Sequence, residues 1–249
     1  MKRFSFAVAS AIFMLLVFMS KAESVRAQTP ACALDPQLFA SLQNPSQESP
    51  DSIREELTVR KMLLRAVLDC LDNEIGDQRI ELDRAAVSDP SMHAVHNNLI
   101  LALEDASRYY DEQRERVSDA GLHTAKDIAA NIREWRTNTF LPQQARIRAF
   151  ISWTHNTEFL AIASRRLEEF KRSVQLLTLV DHSDIRSLFT EADEGFRAAQ
   201  DFQNRAQSTL INGLDPSAPI KLSLEALSRT YSSFIKLSDF INALLPRGK

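Results

Sequence analysis

Glycine is nearly missing from this chain, at five residues in 249. Glycine supplies the positive-φ conformations that tight hairpins need, so its scarcity argues against a sheet-rich fold with many short turns. Excess basic charge is missing too. The formal net charge is −3, which removes the phosphate-neutralising surface a dedicated nucleic-acid binder would need. No His-Glu-x-x-His, Gly-x-Ser-x-Gly or phosphate-cradling glycine loop occurs, so the common hydrolase and nucleotide signatures fail. The paired Glu-x-x-His motifs of diiron bundles do not occur either. Nothing in the composition implies a cofactor or a resident metal. What is abundant is Ala, Leu, Arg, Glu and Gln, residues that lose little side-chain entropy in a helix.

The N-terminus reads as a targeting segment. Lys2 and Arg3 precede an apolar run from Phe4 to Met19, and Val25-Arg26-Ala27 offers compact side chains for a signal peptidase. Cleavage is expected after Ala27, giving a signal peptide over 1–27. The apolar run would rise only about 24 Å as a helix, short of the roughly 30 Å hydrocarbon core, so it suits a cleaved signal better than an uncleaved anchor. Removing 1–27 takes the formal charge to −6 and leaves an expected secreted or periplasmic product whose only membrane contact would be a retained signal.

Two cysteines, Cys32 and Cys70, follow the expected cleavage site without metal-ligand spacing. In an oxidising compartment they read as one disulfide. Leu34, Leu38 and Leu42, at i, i+4, i+8, would let the segment after Cys32 lie along the first helix. Closing that loop would stabilise the fold by roughly 4 kcal/mol in the chain-entropy view.

Residues 28–51 form an N-terminal segment and linker, with Asn44-Pro-Ser-Gln-Glu-Ser-Pro50 polar and Pro-bearing, and 52–249 reads as a helical bundle. A hairpin over 52–120 and a further helical layer over 122–245 are its expected parts. A first helix from about Ser52 to Val87, capped by Asp51-Ser52, carries Leu57, Leu64, Leu68, Leu71, Ile75 and Leu82 on one stripe. A second, after Pro90, carries Met92, Leu99, Leu103, Ala106, Tyr110 and Val117 to Asp119. A third opens on a Thr124–Asp127 capping box and presents Ile128, Ile132, Trp135 and Thr139. Pro142 marks a turn or a kink, and a fourth helix continues to about Val180 with Leu160, Ala163, Leu167, Phe170, Val174 and Leu177. A fifth reaches Ile211, before the turn Asn212-Gly-Leu-Asp-Pro216. The sixth shows the most regular seam, Ile220, Leu224, Leu227, Tyr231, Phe234, Ser238, Ile241 and Leu245. The expected fold is all-α, an elongated antiparallel helical bundle of about six helices.

Candidate chemistry is sparse. His93 and His96 lie i, i+3 on the second helix, but His96 falls on the apolar stripe and reads as a core histidine. His155-Asn-Thr-Glu158 reads as a solvated face. No catalytic residue stands out. One cluster does: Arg133, Trp135 and Arg136 precede Pro142, while Arg146, Arg148, Trp153 and His155 follow it. If the chain folds back or bends there, both indoles and several guanidinium groups would converge on an anion or a glycan ring. Charge order adds a register. The segment Arg133–Arg172 is basic and Asp181–Asp215 acidic, so a reversal at His182-Ser183 would set Arg172 opposite Asp193, Arg165 near Asp201 and Lys171 near Glu194. The function this supports is an interaction or structural role outside the cytoplasm, with another protein bound through helix packing. A ligand-sensing or carbohydrate- or anion-binding bundle using the Arg/Trp cluster is the alternative, and a helical lyase or glycan hydrolase comes third.

Overall fold

The computed structural model describes residues 49–85, 87, 89–176 and 182–244. They form α1 (Pro50–Arg84), α2 (Pro90–Asp119), α3 (Leu122–Trp135), a π-helical turn (Arg136–Phe140), α4 (Leu141–Leu176), α5 (Ser183–Ile211) and α6 (Ser217–Leu244). The chain is all-α, with no strand among the described residues. Because α3, the π turn and α4 run on without a break, the six α-helical segments make five rods. Pro142 is therefore neither a turn nor a reversal.

Local chemistry sets the ends. Ser49, not Asp51 or Ser52, caps α1: its hydroxyl accepts the Ser52 N–H at 3.1 Å, and the Ser52 hydroxyl accepts the Ser49 N–H at 3.1 Å. Pro50 then takes the first position, where its missing N–H has no partner to lose. Asp89 caps α2 by accepting the Ser91 N–H at 2.8 Å. The expected Thr124–Asp127 box does not form, since α3 starts two residues earlier behind Gly121, whose carbonyl accepts the Ala125 N–H. After α5, Gly213 adopts φ 72°, and the Gly213 and Leu214 N–H groups return to Leu210 O and Thr209 O, closing the helix with a Schellman pair.

The stripes read on α1 and α2 are buried apart from the half-buried Leu57, with Leu64, Leu68, Leu71, Ile75 and Leu82 facing Met92, Leu99, Leu103, Ala106, Tyr110 and Val117. These, with Ile128, Ile132, Phe140, Ile147 and Phe150 from the long rod, form a first core. A second core gathers Leu160, Ala163, Leu167 and Val174 of α4 with Phe196 and Ala199 of α5 and Leu227, Phe234 and Leu237 of α6. The long rod belongs to both.

Three expected placements change. Thr139 is exposed and Phe140 is fully buried in its stead. In a regular α-helix Thr139, seven residues after Ile132, would lie within about 20° of it, whereas Phe140 would be about 80° away. The π turn absorbs one extra residue, rephases the helix by that amount and brings Phe140 and Ile147 onto the stripe of Ile132. The α6 seam turns likewise: Ser223, Ala226, Thr230, Ser233 and Leu237 are buried with Ile220, Leu227 and Phe234, while Leu224 is exposed and Tyr231 and Ser238 are half-buried. Small side chains face α5 because the helices nearly touch, a Cβ on Gly195 falling 2.7 Å from Thr230 Oγ1. Leu245 lies outside the described residues. The α4–α5 pair is antiparallel as expected, but Asn156 meets Gln203 rather than Thr209, a slip of about 9 Å. Asp193 and Asp201 accordingly pair within α5, with Arg197 and Arg205, not with Arg172 and Arg165. Lys171 pairs with Glu168.

Candidate functional site

The unbroken rod separates the arginine and tryptophan residues singled out in the sequence. Trp135 and Trp153 are 18 positions apart on it, on the order of 25 Å. Trp135 is half-buried, stacked on Tyr109 at 4.1 Å between ring centroids, edge-on to Tyr110 and stacked on Phe140. Trp153 is 5 % exposed and packs on Phe150. Arg133, Arg148 and His155 point to solvent. Arg146, also exposed, reaches the turn after α5, its guanidinium 3.5 Å from the Cβ position of Gly213. Only Arg136 enters a polar cluster. Cys70 is half-buried on α1, and Cys32 lies outside the described residues, as do the signal segment 1–27 and most of the 28–51 linker.

Arg136 opens the π turn and donates to Glu74 Oε2 on α1 at 2.7 Å, while Gln144 Nε2 donates to Glu74 Oε1. Eight residues separate Arg136 from Gln144, an offset of about 80° on a regular helix. The extra residue held in the π turn removes most of it, so one carboxylate clamps both flanks. Glu74 and Gln144 were not singled out in the sequence. The eight-then-seven spacing Ile132, Phe140, Ile147 was the signal that could have found them. Tyr110 lies beside this pair. Burial pushes its phenol up to about 12, against the opposing charge of Arg136. Its hydroxyl is buried beside the Arg136 guanidinium and makes no well-formed hydrogen bond. Burial works against the Arg136 charge, yet Glu74 outweighs it and holds the guanidinium above its ordinary value.

Between the two cores lies a polar layer. Asn156, 1 % exposed, donates to Gln203 Oε1 at 2.6 Å and Ser223 Oγ at 2.8 Å. Gln203 in turn donates to Trp153 O and Thr157 Oγ1, and Ser223 donates to Ala199 O. One side chain from each of α4, α5 and α6 thus fixes the mutual height of the three helices. His96, read as a core histidine, is half-buried with Nε2 3.0 Å from Leu82 O and its ring against Phe150.

Among the described residues, α4 and α6 carry an apolar strip on their outer surface. Leu224, Tyr231 and Ile235 recur at seven and four along α6, and Phe159, Ile162 and Arg166 at three and four along α4, so each set shares a face. The Arg166 guanidinium lies over the Tyr231 ring at 5.9 Å, which sets the two faces side by side. Phe159, Leu224 and Ile235 are 45 %, 43 % and 49 % exposed. Comparison with protein-family models, curated proteins and solved structures returns no match. What the strip offers is then argued from its own chemistry: large aliphatic and aromatic surface over about three helical turns, with one guanidinium at its middle.

Proposed function

We propose that this chain is an exported interaction protein that holds an amphipathic helix of a second protein along the α4–α6 strip. The observation that carries this reading is the exposure of Phe159, Leu224 and Ile235 on the adjoining faces of α4 and α6. Exposed apolar side chains scattered singly are ordinary, whereas a row of them on two adjoining helices is the groove geometry that takes a helix by its i, i+4, i+7 residues. Leu224 and Ile235 lie 11 positions apart, about 16 Å, a span that suits a partner helix of about three turns. Arg166 would meet an acidic residue beside the partner's apolar face. Export rests on the charged start, apolar run and Val25-Arg26-Ala27 of the N-terminus. A Cys32–Cys70 disulfide would belong to the same compartment.

Site-specific photocrosslinking tests the reading. A photoreactive residue at Ile235 in cells exporting the protein should give one defined polypeptide adduct, which Leu224→Asp abolishes. The same probe at the exposed Arg197 of α5 should give none. Equal labelling from both positions, or no adduct from Ile235, refutes it.

A further inference from the structure

On the face of α5 and α6 turned away from α4, a groove of about 530 Å³ runs over the tight crossing at Gly195. Its α5 wall presents Glu191 and Glu194, its α6 wall Arg229 and Lys236, with Ser233 near the floor. Antiparallel neighbours carrying opposite charges normally close into ion pairs. Here no ion pair joins the two walls among the described residues, and the polar contact between them is a 3.4 Å bond from Ser233 Oγ to Glu191 Oε2. Gly195 matters to this shape: without a side chain it lets the two helices approach closely at the floor of the groove. The result is a cleft with a carboxylate edge, a cationic edge and a small-residue floor.

The geometry points to a binding site for a small zwitterion, its ammonium on Glu191 and Glu194 and its carboxylate on Arg229 and Lys236. Each wall alone would attract a simple ion weakly, because exposed single pairs are screened. A molecule carrying both charges engages both walls at once. Once one end is bound, the other is held at high local concentration, so the two weak contacts reinforce one another. This site is separate from the α4–α6 strip, and its failure would leave the partner-helix reading standing.

The matched set 4-aminobutyrate, butylamine and butyrate tests it, read by backbone amide shifts of isotopically labelled full-length protein. The expected result is saturable shifts at Gly195, Ser232 and Ser233 with 4-aminobutyrate, with each single-charge analogue at least about tenfold weaker. Glu194→Gln and Arg229→Gln change exposed side chains and should each weaken 4-aminobutyrate at least about threefold while leaving the other amide positions in place. No saturation below about 50 mM, equal binding of butylamine or butyrate, or indifference to both substitutions overturns the proposal.

Discussion

Deleting Asn138 should leave this fold standing, which no deletion inside a regular helix would do. Asn138 is exposed at the centre of the π turn, and the turn holds one residue more than the α-helical phase on either side requires. Removing it makes Ile132 and Phe140 seven apart, so a plain α-helix presents both to the first core. Arg136 and Gln144 also become seven apart and still reach Glu74. Pro142 is then the difficulty. In an uninterrupted α-helix its ring meets the carbonyl four residues back and its missing N–H leaves that carbonyl unbonded, a cost of about 3 kcal/mol. For a chain of this size that is a fall in melting temperature of about 6–12 °C. The single deletion should show that loss, and the deletion combined with Pro142→Ala should recover most of it. Pro142→Ala alone should stay within about 1 kcal/mol of the parent, because core phase still demands the extra residue. Thermal and urea unfolding followed by circular dichroism measure all three. If the deletion with Pro142→Ala fails to fold, or melts more than about 12 °C below the parent, the phase argument is wrong.

Further outcomes follow from the same packing. Tyr110→Phe removes a buried hydroxyl that makes no well-formed hydrogen bond and should raise stability by about 1 kcal/mol in urea unfolding at neutral pH. With Tyr110 raised to about 12 in the folded chain, the parent keeps its full stability below the unfolded value near 10 and loses stability as pH climbs from there through 12, because the unfolded chain ionises first. The stability difference between parent and Tyr110→Phe should therefore widen in favour of the variant between those limits, and a pH-independent difference refutes the assignment. Asn156→Leu strands Gln203 Oε1 in the polar layer and should cost about 1–3 kcal/mol by equilibrium unfolding. Mass spectrometry of unreduced exported protein should find a chain beginning at Gln28 with a Cys32–Cys70 crosslinked peptide, and two alkylatable thiols would refute the pairing.

The stripes of α1 and α2 were legible because heptad-like leucines on a helix without internal Pro have one way to be buried, and the residues at 64, 68, 71 and 75 are the ones found inside. Phe140 was not, because periodicity of a fixed 3.6 residues assigns the position to Thr139, and only a change of helix type moves the phase. The α6 seam misled for a different reason. The regular alternation of four and three gave Leu224 and Tyr231 the interior, but the neighbour there is Gly195 and Ala199, whose small profile admits Ser223 and Thr230 and leaves Leu224 outside. The Arg/Trp cluster depended on a reversal at Pro142, and that proline sits in the second position after a π turn, where a helix tolerates it. Asn156 was readable in principle, since it falls between Trp153 and Leu160 on the buried stripe.

The shared rod also limits how this protein can change in length. Insertions beside the exposed Gly121 and at 212–215 add chain at the surface and turn nothing. Along α3 and α4, by contrast, one added residue rotates everything beyond it by about 100° and would aim one core's side chains at solvent. Related chains should therefore vary freely in the connectors and keep the rod constant, or change it by a length close to a whole number of helical turns. A one-residue difference should occur only at the π turn, where length has already been traded for helix type.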